Sequence, residues 1–161
     1  MITNRILKLQ DTLKDNQAFL VSSDSNRFYL TSFNSSAGTV LITKTNAVFF
    51  VDFRYFEKAK STVKSCDVVL FDNGDTGIYK FCQDEKIKTI FIENEHTSIS
   101  RQKYLCGVFE TITISDENIL DTKLKEMRAI KSLEELRALK EKFQSKLDLR
   151  EKSENPEELT Q

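Results

Sequence analysis

Residues that interrupt secondary structure are scarce in this sequence, which has four glycines and one proline among its 161 residues. Against that background one segment is unusual, RFYLTSFNSSAGTVLIT, from Arg27 to Thr43. In it, a loop of small hydroxyl residues with a single glycine runs directly into an apolar strand. We therefore expect this loop to face a binding site.

Paired cysteines are also missing. The three cysteines, Cys66, Cys82 and Cys106, are far apart, odd in number and without a C-x-x-C pair. This spacing argues against a disulfide framework and against a zinc site. Separate free thiols are typical of a reducing compartment, so we expect a cytoplasmic protein.

No apolar run approaches the roughly 20 residues that a membrane-spanning helix needs. The N-terminal segment MITNRILKLQDTLKDNQ is charged throughout and lacks the continuous apolar core of a signal peptide. The net charge of -1 and the pI near 6.0 do not suggest the basic surface of a nucleic-acid-binding protein. We expect neither a membrane nor a nucleic acid as a partner.

Recognisable catalytic motifs are absent as well. His96 is the only histidine, and although Glu93 and Glu95 precede it, E-x-E-H in a loop lacks the helical spacing of H-E-x-x-H. We interpret it as a solvated loop histidine. The sequence contains neither a G-x-S-x-G elbow nor a glycine-rich phosphate loop. One histidine shared by three distant cysteines gives little basis for a Cys–His nucleophile.

Three acidic residues, Asp52, Asp72 and Glu93, each follow an apolar strand. Ligands of open α/β sheets gather at the carboxyl ends of strands, so these acids leave open a magnesium site for phosphoryl transfer. The structural alternative is that strands simply end where polar residues begin. The near-neutral net charge offers nothing to hold a phosphate backbone and favours that alternative.

The distribution of apolar residues predicts an α/β fold. Ile2, Ile6, Leu9 and Leu13 share one face of a first helix. Apolar and β-branched runs predict strands at 18–23, 38–43, 47–52, 67–71, 89–93 and 111–114. The second and third are joined by three residues and should form an antiparallel hairpin. Helices alternate with the later strands, which predicts a largely parallel sheet covered on both faces, with residues 67–71 in its middle.

The segment from Lys125 to Leu147 is strongly helical. It contains a predicted capping box, Ser132-x-x-Glu135, and an apolar stripe at helical spacing. The stripe consists of Leu133, Leu136, Leu139, Phe143 and Leu147. Three roles stay open for it: packing on the preceding domain, pairing with another chain, or opening a further domain. The charged residues after it are predicted to form a frayed tail.

Three segments of the chain match sequence motifs in a fixed order. NRFYLTSFNSSAGTVLIT matches N-x-x-Y-L-T-G-F-x-G-S-A-G, and AVFFVDFRYFEKA matches F-x-x-D-x-R-Y-x-x-x-A. With these motifs the chain resembles the Xaa-Pro aminopeptidase and prolidase family. MRAIKSLEELRALK resembles the R-x-I-K-S-x-E-E junction before the family's second domain. The segments occur in the family's order and span nearly the whole chain. Ser32 and Ser35 stand where the family often has glycine, and Phe53 where a small residue is usual.

The resemblance implies a three-layer α/β/α fold with a mixed sheet of about five to six strands and a ribonuclease H-like motif. It implies a creatinase/prolidase N-terminal-like domain at residues 1–127, a junction helix at 128–150 and a disordered tail at 151–161. Family members hydrolyse peptides in a C-terminal pita-bread domain. That domain binds two divalent metals (manganese, cobalt or zinc) through two aspartates, a histidine and two glutamates. Nothing after Lys142 resembles it, so no catalytic residue, metal site or cofactor is expected in this chain.

The resemblance also implies a role: an N-terminal domain for substrate gating and dimerisation in a Xaa-Pro aminopeptidase or prolidase that cleaves proline-containing peptides. Such a domain is expected to be catalytically inert by itself and to form a homodimer. A stand-alone peptide- or protein-binding module with the same fold is the alternative.

Four residues are the candidate substrate contacts. Asn26 and Tyr29 suit a peptide terminus, Phe33 an apolar subsite, and Arg54 a carboxylate, which its planar guanidinium fits. Each has a structural alternative. Tyr29 and Phe33 are alternatively core aromatics. Arg54 alternatively pairs with Asp52 on the surface, and Asn26 alternatively caps a helix.

Overall fold

The computed structural model describes residues 2–129 and 133–154, and the chain divides into two compact units, residues 1–125 and 126–161. The first unit contains a six-stranded sheet with its connecting helices. Its elements are α1 (Ile2–Gln10), β1 (Gln17–Val21), α2 (Asp24–Thr31), β2 (Thr39–Thr43), β3 (Ala47–Val51), α3 (Phe53–Thr62), β4 (Asp67–Leu70), α4 (Asp75–Asp84), β5 (Thr89–Ile92), α5 (Ile99–Val108), β6 (Thr113–Ser115) and α6 (Ile119–Ala129), which continues into the second unit.

The strands lie in the order β4-β3-β2-β1-β5-β6. Among the described strands only β2 is antiparallel to its neighbours, β1 and β3, whereas the β1–β5, β5–β6 and β3–β4 pairs are parallel. The register places Leu20 of β1 beside Leu41 of β2 and Ile92 of β5. The predicted α/β class, the mixed sheet and the β2–β3 hairpin are confirmed.

Apolar side chains are buried on both faces of the sheet, because consecutive strand residues point in opposite directions. On one face, Leu20 belongs to a buried cluster with Ile78 of α4 and Leu105 of α5. On the other face, Phe19 meets Phe91 of β5 with ring centroids 5.8 Å apart. Helix α1 contacts β2, and α3 packs along β3 and β4. Helices therefore cover the sheet on both sides.

The prediction that residues 67–71 form a central strand is wrong. β4 is an edge strand that pairs with β3 alone among the described strands. Its Val69 and Leu70 remain 42% and 37% exposed. A continuous apolar run does indicate a strand, but it contains no information on which neighbours that strand will have.

The second unit contains helix α7 (Leu133–Glu154). Its predicted capping residue, Ser132, lies outside the described residues. Leu133, Phe143 and the rest of the predicted stripe are exposed. The helix extends four residues into the segment predicted as a tail, where Glu and Lys favour helix. No helix in the described ranges is both long and apolar enough to cross a membrane.

Candidate functional site at the carboxyl edge of the sheet

Five strands end at the same side of the sheet, which we call the carboxyl edge. β1, β3, β4, β5 and β6 run in one direction, so the residues that follow them lie along this edge: Ser22, Asp52, Phe71, Glu93 and Asp116. The antiparallel strand β2 begins here, preceded by residues 32–38. Loops at the carboxyl ends of strands are the common ligand-binding region of α/β sheets. The loop singled out by its composition therefore lies where a ligand site is expected.

Glu93, directly after β5, is a buried carboxylate with 1% of its surface exposed. Its Oε2 accepts hydrogen bonds from the backbone N–H groups of Ser22 at 2.6 Å and Ser23 at 2.9 Å. Its Oε1 accepts from Ser23 Oγ at 2.5 Å and from Asn26 Nδ2 at 2.6 Å. Four donors thus replace the water that a buried carboxylate loses. Through these hydrogen bonds Glu93 joins the end of β5 to the end of β1 and to the first turn of α2.

Asn26 lies inside this network and is almost fully buried. Its amide donates to Glu93, and its Oδ1 finds no donor among the described residues. The helix cap of α2 is Ser23, whose Oγ accepts from Asn26 N at 3.4 Å. The structural alternative in which Asn26 caps the helix is therefore wrong. Its contact with a peptide terminus stays a prediction.

Arg27 is a second buried charged residue, and sequence analysis missed it. Its Nη1 donates to Ser22 O, and its Nη2 donates to Asp24 Oδ1 at 2.7 Å and to Ser35 O at 2.6 Å. One guanidinium therefore joins the end of β1 to the 32–38 loop. In the family motif this position is an unspecified x, so the motif gave no signal for it.

The backbone of the loop uses two positive φ angles. Ser32, which ends α2, has φ 56° and ψ 21°, and its N–H donates to Phe28 O at 2.8 Å. The left-handed region costs an L-residue energy that glycine avoids, so Ser32 keeps a glycine-like backbone at a cost. At Gly38, φ is 134°, and an added Cβ would lie 2.9 Å from Phe49 Cε2. Only glycine fits there.

Phe33 anchors the loop in the core. It is largely buried and makes edge-to-face contacts with Phe49 at 6.0 Å and Tyr55 at 6.2 Å between ring centroids. Tyr55 Oη also shares a hydrogen bond of 2.8 Å with Ser36 Oγ. The hydrogen bond from Ser36 lowers the pKa of the Tyr55 hydroxyl. Phe33 thus has the burial of a core aromatic, and its role in an apolar subsite stays a prediction.

Arg54 lies on the surface beside Asp52, which is the N-cap of α3. Its Nη2 donates to Asp52 Oδ2 at 2.6 Å, and its backbone N–H donates to Asp52 Oδ1 at 3.0 Å. The side-chain hydrogen bonds from Arg54 lower the pKa of Asp52, and the same contacts raise the pKa of Arg54. The predicted surface pair is therefore present. The Arg54 side chain remains 55% exposed and can be reached by a ligand.

Tyr29 faces a different neighbour. The Arg5 guanidinium of α1 lies 4.1 Å from the centre of its ring, and Arg5 Nη1 donates to Tyr29 O at 2.8 Å. Arg54 and Phe33, in contrast, meet around Tyr55, since the Arg54 guanidinium carbon lies 5.4 Å from the Tyr55 ring centre. The structure thus brings two candidates together at α3, places Asn26 beside Glu93, and places Tyr29 against α1.

The acids at the carboxyl edge do not converge on one point. Asp52 pairs with Arg54, and both oxygens of Glu93 are occupied by donors. Within residues 2–129 and 133–154, no three His, Cys, Asp or Glu side chains are grouped to hold a metal ion. His96 is exposed, as predicted, and lines a small cavity of about 160 Å³ with Ser98 and Arg101.

Comparison with known proteins decides the family. Residues 5–130 match the family model described as the Creatinase/Prolidase N-terminal domain. This chain belongs to that family. The fold expected from the resemblance is therefore confirmed, and the site described above is the carboxyl edge of a creatinase/prolidase N-terminal domain.

Three similar proteins illustrate the match. A Mycoplasma genitalium protein, provisionally named an Xaa-Pro aminopeptidase, is 30% identical over 140 residues, covering 86% of this chain and 38% of that protein. The crystal structure of aminopeptidase P, an Xaa-Pro aminopeptidase from Streptococcus thermophilus, is 31% identical with a TM-score of 0.63, covering 76% of this chain and 91% of that one. Xaa-Pro dipeptidase from Bacillus anthracis has a TM-score of 0.73 at 22% identity, covering 88% and 39%. At that identity the last likeness shows the fold alone.

The creatinase/prolidase N-terminal domain accounts for nearly all of the matched region. The chain spans 38% of the length of the Mycoplasma genitalium relative, whereas it spans 91% of the Streptococcus thermophilus chain. The match therefore covers the N-terminal domain and not the remaining length of the Mycoplasma genitalium relative.

Proposed function

We propose that this creatinase/prolidase N-terminal domain gates substrate access and forms dimers in a metal-dependent Xaa-Pro aminopeptidase or prolidase of the cytoplasm. The observation that carries the proposal is the family match over residues 5–130 in a chain that spans 38% of a relative provisionally named an Xaa-Pro aminopeptidase. Hydrolysis, with its two divalent manganese, cobalt or zinc ions, then belongs to a further domain. The present chain alone is catalytically inert.

The gating surface we propose is the 32–38 loop. Arg27 donates a hydrogen bond to Ser35 O in this loop, and Tyr55 shares a hydrogen bond with Ser36. Ser32, Asn34 and Ser36 are exposed on it. A loop fixed at two points presents its hydroxyl groups in a constant geometry, and such preorganisation lowers the entropic cost of binding an extended peptide. Its rigidity also limits how much of a peptide can enter an adjoining cleft.

Arg54 is the residue that we expect to contact peptide directly. Its side chain is exposed. If a peptide carboxylate took the place of the Asp52 carboxylate as its partner, the guanidinium of Arg54 would still be paired. Asp52 would still hold the α3 backbone at Arg54 N. Phe33 and Asn26 are buried and would act by supporting the loop, while Tyr29 is half-buried and remains our second candidate for a peptide terminus.

Catalytic inertness is tested with the purified 161-residue chain, Xaa-Pro dipeptides and Mn²⁺. We expect no release of proline above a mock purification and no uptake of two metal ions per chain by elemental analysis. Turnover that copurifies with the chain through two chromatographic steps would contradict the proposal.

Peptide binding is tested by titrating an Xaa-Pro peptide into ¹⁵N-labelled protein. We expect amide chemical shifts to change in residues 32–38 and 52–55. Arg54→Ala should lower the affinity about tenfold, as for the loss of one exposed charge-assisted contact. Lys103→Ala, a surface control on α5, should leave the affinity unchanged. A peptide amidated at its C-terminus should bind wild type as weakly as the free peptide binds Arg54→Ala. Shifts confined to another face would contradict the assignment. Full peptide binding by a chain whose reading frame encodes no further domain would favour the stand-alone module.

A further inference from the structure

The outer edge of β4 has no strand beside it in the described part of the chain. Phe71 N donates to Val51 O at 2.6 Å, so residues 67, 69 and 71 direct their backbone groups toward β3. The N–H and C=O groups of Val68 and Leu70 consequently point away from the sheet. Exposed side chains of Val69 and Leu70 flank this open edge on its two faces.

β4 has fewer of the features that normally keep sheet edges apart than the other edge strand has. Proteins protect edge strands with proline, with charges such as lysine, or by making them very short. The opposite edge strand, β6, has three residues, two of them buried, and is followed by Asp116 and Glu117. β4 contains no proline and no lysine, and its one charge, Asp67, stands at its start. β4 is therefore the more open of the two edges.

We propose that β4 pairs antiparallel with β4 of a second copy of this chain, around a two-fold axis at Val68. A two-fold axis perpendicular to a sheet pairs residues that point to the same face, so even-numbered residues meet even-numbered ones. The outward hydrogen-bonding groups of β4 belong to even-numbered residues. With the axis at Val68, Val68 of one copy pairs with Val68 of the other, and Leu70 of each copy pairs with Cys66 of the other. Every outward backbone group of β4 then has a partner.

Charge complementarity of the residues that flank β4 favours a second copy as the occupant, in antiparallel orientation. Lys64 lies four residues before Val68, and Asp72 lies four residues after it. Both side chains are exposed, and neither forms an ion pair within the described residues. Antiparallel pairing places the start of each β4, which Lys64 precedes, beside the end of the other β4, which Asp72 follows, twice per dimer. Opposite charges across neighbouring strands stabilise such pairs, and like charges destabilise them.

This interface gives the dimerisation in the proposed function a surface, and it does not depend on peptide binding. Failure of the interface therefore shows as a change in mass, whereas failure of the gating proposal shows in the peptide titration. The two can be told apart on the same preparation.

The first test is the mass of the intact chain by sedimentation equilibrium over micromolar to millimolar concentrations. We expect twice the 18.6 kDa monomer mass at the upper end. Val68→Pro removes an N–H that β3 does not use, so it should abolish dimerisation while the melting temperature stays close to wild type. Val69→Pro, the matched control, removes an N–H that faces β3 and should lower the melting temperature. A monomer at every concentration would overturn the proposal.

A charge-reversal cycle tests the antiparallel orientation of the two β4 strands. Lys64→Asp and Asp72→Lys should each weaken dimerisation about tenfold, because two cross-strand attractions become repulsions. The double variant should return to within about threefold of wild type, since it restores both pairs in the opposite sense. Lys103→Asp, on exposed α5, should leave the dimer unchanged. If the double variant dimerised no better than the single variants, the proposed antiparallel orientation would be wrong.

Disulfide trapping locates the axis. In a Cys66→Ser, Cys106→Ser background, Val68→Cys should form a covalent dimer under mild oxidation, because directly opposed residues lie about 5.5 Å apart at Cα, within disulfide range. Leu70→Cys, equally outward-facing, should stay monomeric on denaturing gels. Trapping of Leu70→Cys in place of Val68→Cys, or a dimer that persists in Val68→Pro, would overturn the proposal.

Discussion

The side-chain amide of Asn26 donates to Glu93 Oε1 over 2.6 Å, joining residues 67 positions apart in the sequence. Both residues are almost completely buried. The bond runs in a fixed sense, because a carboxylate only accepts and the amide nitrogen only donates. The carboxyl edge around the 32–38 loop is thus organised by a buried charge whose partners come from β1 and α2.

Replacing Glu93 with glutamine should destabilise the fold by about 2–4 kcal/mol, because the new amide nitrogen faces donors from which it cannot accept. Asn26→Asp alone should also destabilise, since it brings two carboxylates together. The double variant, Glu93→Gln with Asn26→Asp, restores one amide and one carboxylate and should recover more than 1 kcal/mol, in the range of coupling for contacting residues. Urea unfolding measures all four proteins.

The control for this cycle is Glu95→Gln. Glu95 is exposed and pairs with Lys125 on the surface, so its loss should cost less than about 1 kcal/mol. If the two single changes at positions 26 and 93 simply added in the double variant, the network would not be a coupled unit.

Arg27→Lys should loosen the 32–38 loop. Lysine cannot reproduce a guanidinium that donates to Ser22 O, Asp24 and Ser35 O at once. We expect a loss of about 1–3 kcal/mol and faster amide hydrogen exchange at residues 35–38 than in wild type. Arg54→Lys, at an exposed pair, should leave exchange in that loop unchanged. Unaltered exchange in Arg27→Lys would show that the loop is held by other contacts.

Gly38→Ala should be among the most damaging small substitutions, at about 2–4 kcal/mol. The methyl group would overlap Phe49, and the φ of 134° is one that alanine rarely adopts. Gly107→Ala provides a matched comparison, because a Cβ there meets no atom within 4 Å and the residue lies in α5. That change should stabilise by about 0.5–1 kcal/mol. Thermal unfolding should therefore shift in opposite directions for the two variants.

Ser32→Gly should stabilise the protein by about 0.5–1 kcal/mol, because glycine occupies φ 56° without the steric cost that serine bears. The gain is smaller than the full steric cost, since glycine also increases the entropy of the unfolded chain. Ser36→Gly, where no positive φ occurs, should destabilise instead. A loss of stability in Ser32→Gly would mean that the serine side chain contributes more than its backbone costs.

Half-buried Cys66 and buried Cys82 predict a pH dependence of stability. Burial raises the pKa of Cys66 to about 11 and that of Cys82 to about 12 from a usual value of 9.0. The folded protein then holds protons that the unfolded chain releases, so these groups lower stability as pH rises above 9 through the folded values. Near pH 8, a thiol reagent should modify exposed Cys106 quickly, half-buried Cys66 more slowly because its pKa is raised, and buried Cys82 only on unfolding. Rapid modification of all three would contradict this.

Local patterns predicted the elements of this fold well because each depends on nearby residues. The three-residue connection between 43 and 47 led to the β2–β3 hairpin, which the structure confirms. Strand order was less accessible. Residues 67–71 are as apolar as an interior strand, yet β4 is at the edge, because neighbours are chosen by the whole topology.

The candidate site was predicted only in outline. The loop was recognised from its small residues, but Arg27 was not, since nothing local shows that a guanidinium will be buried against Ser35 O. Glu93 was noticed as an acid after a strand. Its four hydrogen bonds involve residues about 70 positions earlier in the chain, a separation that no local pattern reports.

The position of β1 has a consequence for incomplete chains. The β2–β3 hairpin covers one edge of β1, but the other edge is paired only by residues 89–92. A released chain that ends between residues 75 and 88 therefore displays an apolar strand with free backbone groups, a template for aggregation. Truncations in that interval should send the polypeptide to chaperones or inclusion bodies, whereas truncations after residue 129 should not.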